Sequence, residues 1–210
     1  MKTSISFLKS SLRRDETIRK IEKTDADFIH VDLMDGIYAG ENNIDMESLD
    51  FLLWNSKKPL DVHLMVKKPL ELIKDIVYLK PTFVTVHTDI LDDLDKIITF
   101  LKRKGIKVGL AINPDQDYTC VNDYLSRIDA LLIMSVIPGL GGQKFMLNVL
   151  PKINKMSQIK KLNNYKYIIS VDGGINDKTI DLVKDKVDMV VSGSFVCMSD
   201  NYQKQINKLK

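Results

Sequence analysis

Short apolar runs alternate with longer amphipathic stretches along the whole chain of 210 residues. The short runs are rich in β-branched residues and nearly continuous in apolar character, as parallel strands covered on both faces are. They fall at residues 5–8, 28–33, 60–66, 83–87, 107–112, 130–136, 167–171 and 187–191. The stretches between them read as helices: 11–23, 46–54, 69–79, 91–104, 117–126, 145–162, 177–186 and 202–209. Pro69 opens one of them, where its missing N–H has no helical partner to lose, and Gly105 stops another. Strict strand–helix alternation predicts an α/β fold with a parallel sheet. Eight such units in this length predict a (β/α)8 TIM barrel, as one domain over residues 1–210. A doubly wound open sheet is the competitor, but it usually needs fewer units, and the first strand carries no dinucleotide fingerprint. No linker, low-complexity tract or solenoid repeat interrupts the alternation.

Composition narrows the class. Charged residues are 28% and hydrophobic residues 44%, which is globular and not disordered. A chain of this length buries roughly 70% of its unfolded surface. The net charge of +3 is scattered without any block of one sign, so nothing points to nucleic acid or a membrane surface as partner. No run approaches the ~20 apolar residues of a membrane span. The start, MKTSISFLKSSLRR, places its apolar patch before its basic residues, the reverse of a secretory signal. Cys120 and Cys197 lack CxxC spacing and read as buried small hydrophobes in a reducing compartment, so a cytoplasmic protein is expected.

The chemistry-bearing residues gather at strand ends. His30 and Asp32 close the second run in FIHVDLMDG, His63 lies late in the third, His87 ends the fourth, and Asp172 ends the seventh in YIISVDGG. Side chains repeat their direction every second residue of a strand, so His30 and Asp32 share a face. In a barrel, the C-terminal strand ends form one mouth, and these groups converge there. Each has a bland reading: a lone histidine is commonly a hydrogen-bonded core residue, and an aspartate after a strand is commonly a turn or cap. Together, two histidines and two aspartates make a closed nitrogen–oxygen ligand set suited to Zn, Fe, Mn or Co. His87, followed by Thr88 and Asp89, reads equally as a site residue or as the lead into a helix.

Glycine is the second signal. Strand six runs into Gly139, Leu140, Gly141 and Gly142, strand seven into Gly173 and Gly174, and strand eight into Gly193 and Ser194. Glycine lets backbone N–H groups approach a ligand, and barrels often seat phosphate in the loops after strands seven and eight. One such loop would be only a tight turn; three in succession favour an anion site. GLGGQK is neither a Walker A motif nor GxGxxG, which disfavours a nucleotide. Met34, Met65 and Met134 stand at or just past strand ends, as core fillers or as a soft lining around a charged intermediate.

With these residues in place, the chain resembles the ribulose-phosphate 3-epimerase family over nearly its whole length. The matching segments, in order, are Ser6 with Leu8, HVDLMDG, DVHLMV, Asn113–Pro114, MSVIPGLGGQKF, VDGGIN and SGS. The resemblance implies an isomerase of carbohydrate metabolism in the pentose phosphate pathway, acting on a small phosphorylated sugar. His30, Asp32, His63 and Asp172 would bind one divalent metal ion (Zn, Fe, Mn or Co), with Asp32 and Asp172 also the two acid/base groups. Ser6, His63, the 139–142 loop, Gly173, Gly174, Gly193 and Ser194 would contact the sugar phosphate, and the three methionines would line the cavity. Removing a proton beside a carbonyl and returning it on the other face needs two opposed acid/base groups and passes through an enediolate. Three departures stand out. The 37–46 loop reads IYAGENNIDM where the family has an aromatic residue followed by Val-Pro-Asn, strand four ends in HTD where the family has a His followed closely by Glu, and KSS follows Leu8. An epimerase of another ketose phosphate, such as allulose 6-phosphate, a related decarboxylase, and an inactive phosphosugar-binding barrel are the competing readings. The sequence leaves homo-oligomerisation open.

Overall fold

Eight strands close on themselves in the computed structural model: β1 (Lys2–Ser6), β2 (Phe28–Met34), β3 (Leu60–Met65), β4 (Phe83–His87), β5 (Lys107–Ile112), β6 (Ala130–Met134), β7 (Ile168–Asp172) and β8 (Met189–Ser192). Each pairs in parallel with the next, and β8 pairs with β1 to close the barrel. The structure describes the backbone of residues 1–210 and the side chains of all but residues 48 and 53–55. The helices are α1 (Arg14–Glu22), α2 (Met46–Asn55), α3 (Pro69–Ile76), α4 (Leu94–Arg103), α5 (Leu150–Leu162), α6 (Ser194–Cys197) and α7 (Tyr202–Asn207). Among the described residues, no helix is long and apolar enough to cross a membrane.

Alternation along the strands divides the interior in two. Ile5, Ile29, Val31, Leu33, Val62 and Leu64 join one large cluster with helix residues such as Ile18, Ile73, Ile97 and Ile153, between barrel and helices. The opposite faces turn into the lumen. Its floor is plugged by Phe28, Phe83, Ala130 and Met189, with the two phenyl rings edge to face at 5.7 Å. Its upper half is apolar on the β5–β6–β8 side and polar on the β1–β4 side, where Ser4, Ser6, His30, Asp61, His63, Thr85 and His87 are all buried.

Several expected boundaries shift. The first strand is Lys2–Ser6 rather than 5–8, because Lys2 already pairs with Met189 and Leu8 N donates back to Ser6 Oγ, turning the chain. The first helix starts late, since Ser10 Oγ accepts from Leu12 N and engages Thr17 Oγ1. Two expected helices shrink to 3-10 turns, Tyr118–Tyr124 and Ile180–Leu182. In each a local side chain takes the first amides: Asp117 binds Thr119 N, and Asn176 binds Lys178 N and Thr179 N. Both cysteines are free, but only Cys197 is buried; Cys120 is exposed.

Candidate active site

Register brings the strand-end groups together. Asp32 lies beside His63 across the β2–β3 pair, and Met134 beside Asp172 across β6–β7. One ligand atom from each of His30, Asp32, His63 and Asp172 lies within 4.8 Å of the others. His30 Nε2 is 3.2 Å from Asp32 Oδ1 and 3.9 Å from Asp172 Oδ2, and His63 Nδ1 is 3.1 and 3.9 Å from the same two oxygens. Ligand atoms ~2.1 Å from a common ion sit roughly 3 to 4 Å apart, and these four nitrogen–oxygen distances fall in that range. His30 Nε2 is buried and makes no hydrogen bond, a cost a protein normally avoids unless that lone pair has another use. Two imidazole nitrogens and two carboxylates fit a divalent ion of the Zn, Fe, Mn or Co group.

The two carboxylates have unlike environments. Burial alone would raise Asp32, but the charge of His30 beside it and the hydrogen bond with His63 outweigh it and hold the carboxyl well below the usual range. Ser6 Oγ donates to its other oxygen at 2.7 Å. Asp172 is pushed up to about 6 by burial; His30 pulls it back, and the charge of Asp32 adds to the rise. Burial lowers His30, yet Asp32 and Asp61 carry it well above the ordinary histidine value.

Above this cluster opens a cavity of about 580 Å³. Asp32 and Asp172 reach it from β2 and β7, and Ser6, Met65 and Met134 complete its polar and soft walls. The glycine loops form the rest: Gly139, Leu140, Gly141, Gly142, Gly173, Gly174, Gly193 and Ser194 all line it. Two expected contacts fall elsewhere. His63 is fully buried, held between Asp32 and His87 and outside the cavity lining, in the cluster with His30, Asp32 and Asp172. Met34 is buried beneath the 37–46 loop, where a Cβ on Gly40 would come within 2.6 Å of its sulfur, so it does not line the cavity.

The unusual 37–46 loop docks in place. Asn43 bonds Met34 N and Asp32 O, anchoring it to the end of β2. The Tyr38 ring lies 4.7 Å from that of His87, tilted by 40°, and its hydroxyl joins Asp89 and Asn113. Gly40 and Gly139, both with positive φ, meet backbone to backbone: a Cβ on Gly139 would lie 2.5 Å from Gly40 N. The loop thus abuts the 139–142 loop at the rim. Two residues carry weight that the sequence reading missed. Lys9 lines the cavity beside Gly141 and Gly142. Asp61 lies 2.8 Å from His30 Nδ1; its position two residues before His63, on the same strand face, was the signal available.

The sequence profile of the Ribulose-phosphate 3 epimerase family matches residues 2–197. The chain belongs to that family. The ribulose-phosphate 3-epimerase of Helicobacter pylori is 36% identical over 188 residues, covering 89% of this chain and 87% of that protein. The ribulose-phosphate 3-epimerase of Bacillus subtilis is 32% identical over 195 residues, covering 92% and 90%. Among solved structures, tryptophan synthase from Mycobacterium tuberculosis superposes with a TM-score of 0.73 at 8% identity, covering 99% of this chain and 91% of that one. N-(5'-phosphoribosyl)anthranilate isomerase from Pyrococcus furiosus gives 0.67 at 20% identity, covering 100% and 96%. At such identities these two attest the barrel alone. Membership in the epimerase family makes the strand-end cluster the place to look for its chemistry.

Proposed function

We propose that this chain, as one barrel domain over residues 1–210, interconverts D-ribulose 5-phosphate and D-xylulose 5-phosphate by moving the proton on carbon 3. The observation that carries the reading is the placement of Asp32 and Asp172 in one cavity, on the separate strands β2 and β7 of the barrel. A ketose lying between them presents opposite faces of carbon 3 to the two carboxylates. One removes the proton to leave an enediolate, and the other delivers a proton to the far face. Asp172, raised to about 6, is suited to trading a proton near neutrality. Asp32 is held in place by Ser6 Oγ.

His30, Asp32, His63 and Asp172 are the residues that would hold the divalent ion. Bound there, it supplies Lewis acidity toward the ketose oxygens, an effect of several kcal/mol. The backbone of the three glycine loops binds the phosphate, so that remote binding energy orients the reacting carbon. Leu140, exposed at the rim, closes with Gly141 and Gly142 over the sugar and excludes water. The free thiols of Cys120 and Cys197 support a reducing, cytoplasmic setting.

The test is a coupled assay with D-ribulose 5-phosphate in deuterated water. Deuterium should enter carbon 3 of both sugars, chelation should abolish turnover, and Zn, Mn, Co or Fe should restore it to differing degrees. Faster turnover of allulose 6-phosphate than of ribulose 5-phosphate would reassign the substrate. Full activity in verified metal-free protein would remove the metal from the reading.

A further inference from the structure

β3 places Asp61 two residues before His63, so both side chains enter the lumen. Asp61 is 3% exposed, and it is not among the residues lining the cavity. Its Oδ2 accepts from Ser4 Oγ at 2.8 Å and lies 2.8 Å from His30 Nδ1. As a carboxylate Asp61 only accepts, so Nδ1 keeps its proton, and in the neutral ring that a bound ion would select it is Nε2 that has the lone pair. That Nε2 is the buried nitrogen without a hydrogen bond, aimed at Asp32 and Asp172. The second imidazole is backed differently. His63 turns Nδ1 to Asp32, and its Nε2 meets another imidazole, His87, at 2.9 Å.

We propose that Asp61 is a positioning residue of the metal centre: it locks His30 as the Nδ1–H tautomer, aims Nε2 at the ion, and makes His30 the stronger donor of the two imidazoles. Ser4 holds Asp61 in turn. The inference rests on the metal reading above and extends it one layer outward, because a carboxylate behind a ligating histidine raises the basicity of the ring. Asp61 acts through His30 and touches no sugar.

The experiment measures Co²⁺ and Zn²⁺ affinity by competition with a chromophoric chelator, and the visible absorption of the Co²⁺-loaded protein. Asp61→Ala removes the acceptor, Asp61→Asn keeps an acceptor without the charge, and Ser4→Ala frees the carboxylate. Ser170→Ala is the control, since Ser170 Oγ is buried on β7 with no hydrogen-bond partner. Affinity should fall about 10- to 100-fold in Asp61→Ala and by a smaller factor in Asp61→Asn. Ser4→Ala should lose a few-fold, on the order of one neutral hydrogen bond, and Ser170→Ala nothing. The Co²⁺ spectrum should shift in both Asp61 variants and stay unchanged in the control. Cooperative melting of each metal-free variant reports that the barrel is intact. Should Asp61→Ala fail to fold, Asp61→Asn and Ser4→Ala decide. A folded Asp61→Asn that binds both ions as tightly as the parent, with the parent's spectrum, overturns the inference. Absence of stoichiometric binding in the unmodified protein overturns the metal reading itself, and this inference with it.

Discussion

The Nε2 atoms of His63 and His87 lie 2.9 Å apart inside the barrel. One must donate and the other accept, so the pair sets both tautomers at once. Burial, reinforced by His63, holds His87 well below the usual histidine range, which keeps it neutral near pH 7. Tyr38 covers its ring. His87 is therefore placed to back His63, a proposed ligand. His87→Gln should weaken divalent-metal binding by about tenfold, while kcat of the metal-saturated variant stays within about threefold of the parent. A chelator titration and steady-state kinetics check the two halves. If metal-loaded His87→Gln no longer exchanges the carbon 3 proton, His87 is a proton carrier after all.

Opposed carboxylates imply that each removes the proton of one epimer only. Asp32→Asn and Asp172→Asn should each lower epimerisation by about 10²-fold or more. Each variant should still exchange the carbon 3 proton of one sugar with solvent, and the two should prefer opposite sugars. Both residues are also proposed ligands, so metal content is measured first. Two metal-loaded variants that exchange the same epimer would sink the two-face mechanism.

Protons and metal compete for the same atoms. A group whose folded pKa is raised adds stability at low pH that is lost as pH climbs through the folded value. Asp172 contributes such a loss between 3.8 and about 6, and His30 a further one above 6.5. Asp32, shifted down, has the opposite sign but acts only below 3.8. The melting temperature of metal-free protein should therefore fall as pH rises from 3.8 to about 6 and again above 6.5, while metal affinity rises over that range with release of protons. Calorimetry in buffers of different ionisation enthalpy counts those protons. Affinity that does not change with pH in this window would mean other atoms hold the ion.

Lys9, the first residue of the KSS that follows Leu8, has Nζ 3.5 Å from Gly141 O at the glycine end of the cavity. A charge-assisted contact to phosphate is worth about 1.5–3 kcal/mol. Lys9→Met should raise KM for D-ribulose 5-phosphate by at least about tenfold with kcat little changed, and the effect should shrink at high salt. An unchanged KM would place Lys9 outside the phosphate site.

Glycine as turn former and glycine as ligand contact are separable at Gly193. A Cβ on Gly173 would come within 2.5 Å of Val136 Cγ2, and both Gly173 and Gly174 have positive φ, so replacing either strains the turn whatever it binds. Gly193 has φ −107°, and its added Cβ would lie 3.3 Å from Ser6 O. Gly193→Ala should keep the melting temperature within a few degrees, as substitutions of about 1 kcal/mol do, yet raise KM for the phosphorylated sugar severalfold. Wild-type KM in a folded Gly193→Ala would leave this glycine with a purely geometric role.

Eight apolar runs separated by amphipathic stretches were enough to specify a barrel, because strand period and unit count are local properties of the chain. The same period put His30 with Asp32 on one face, and the glycine runs marked the three loops around the cavity. Local signals failed where a side chain competes with the backbone, as Asp117 and Asn176 do in the two segments that form 3-10 turns instead of helices. They also failed where depth matters. His63 looks like a strand-end ligand open to the sugar, yet its neighbours on both sides bury it. Met34, in step with Met65 across the pair, is covered by Gly40 and excluded from the cavity. The place of Asp61 two residues before His63 gives only the face it shares; the β2–β3 register is what sets it against His30. Periodicity decides which way a side chain points. What it meets there depends on strand register and loop packing, which arise only when distant segments close the barrel.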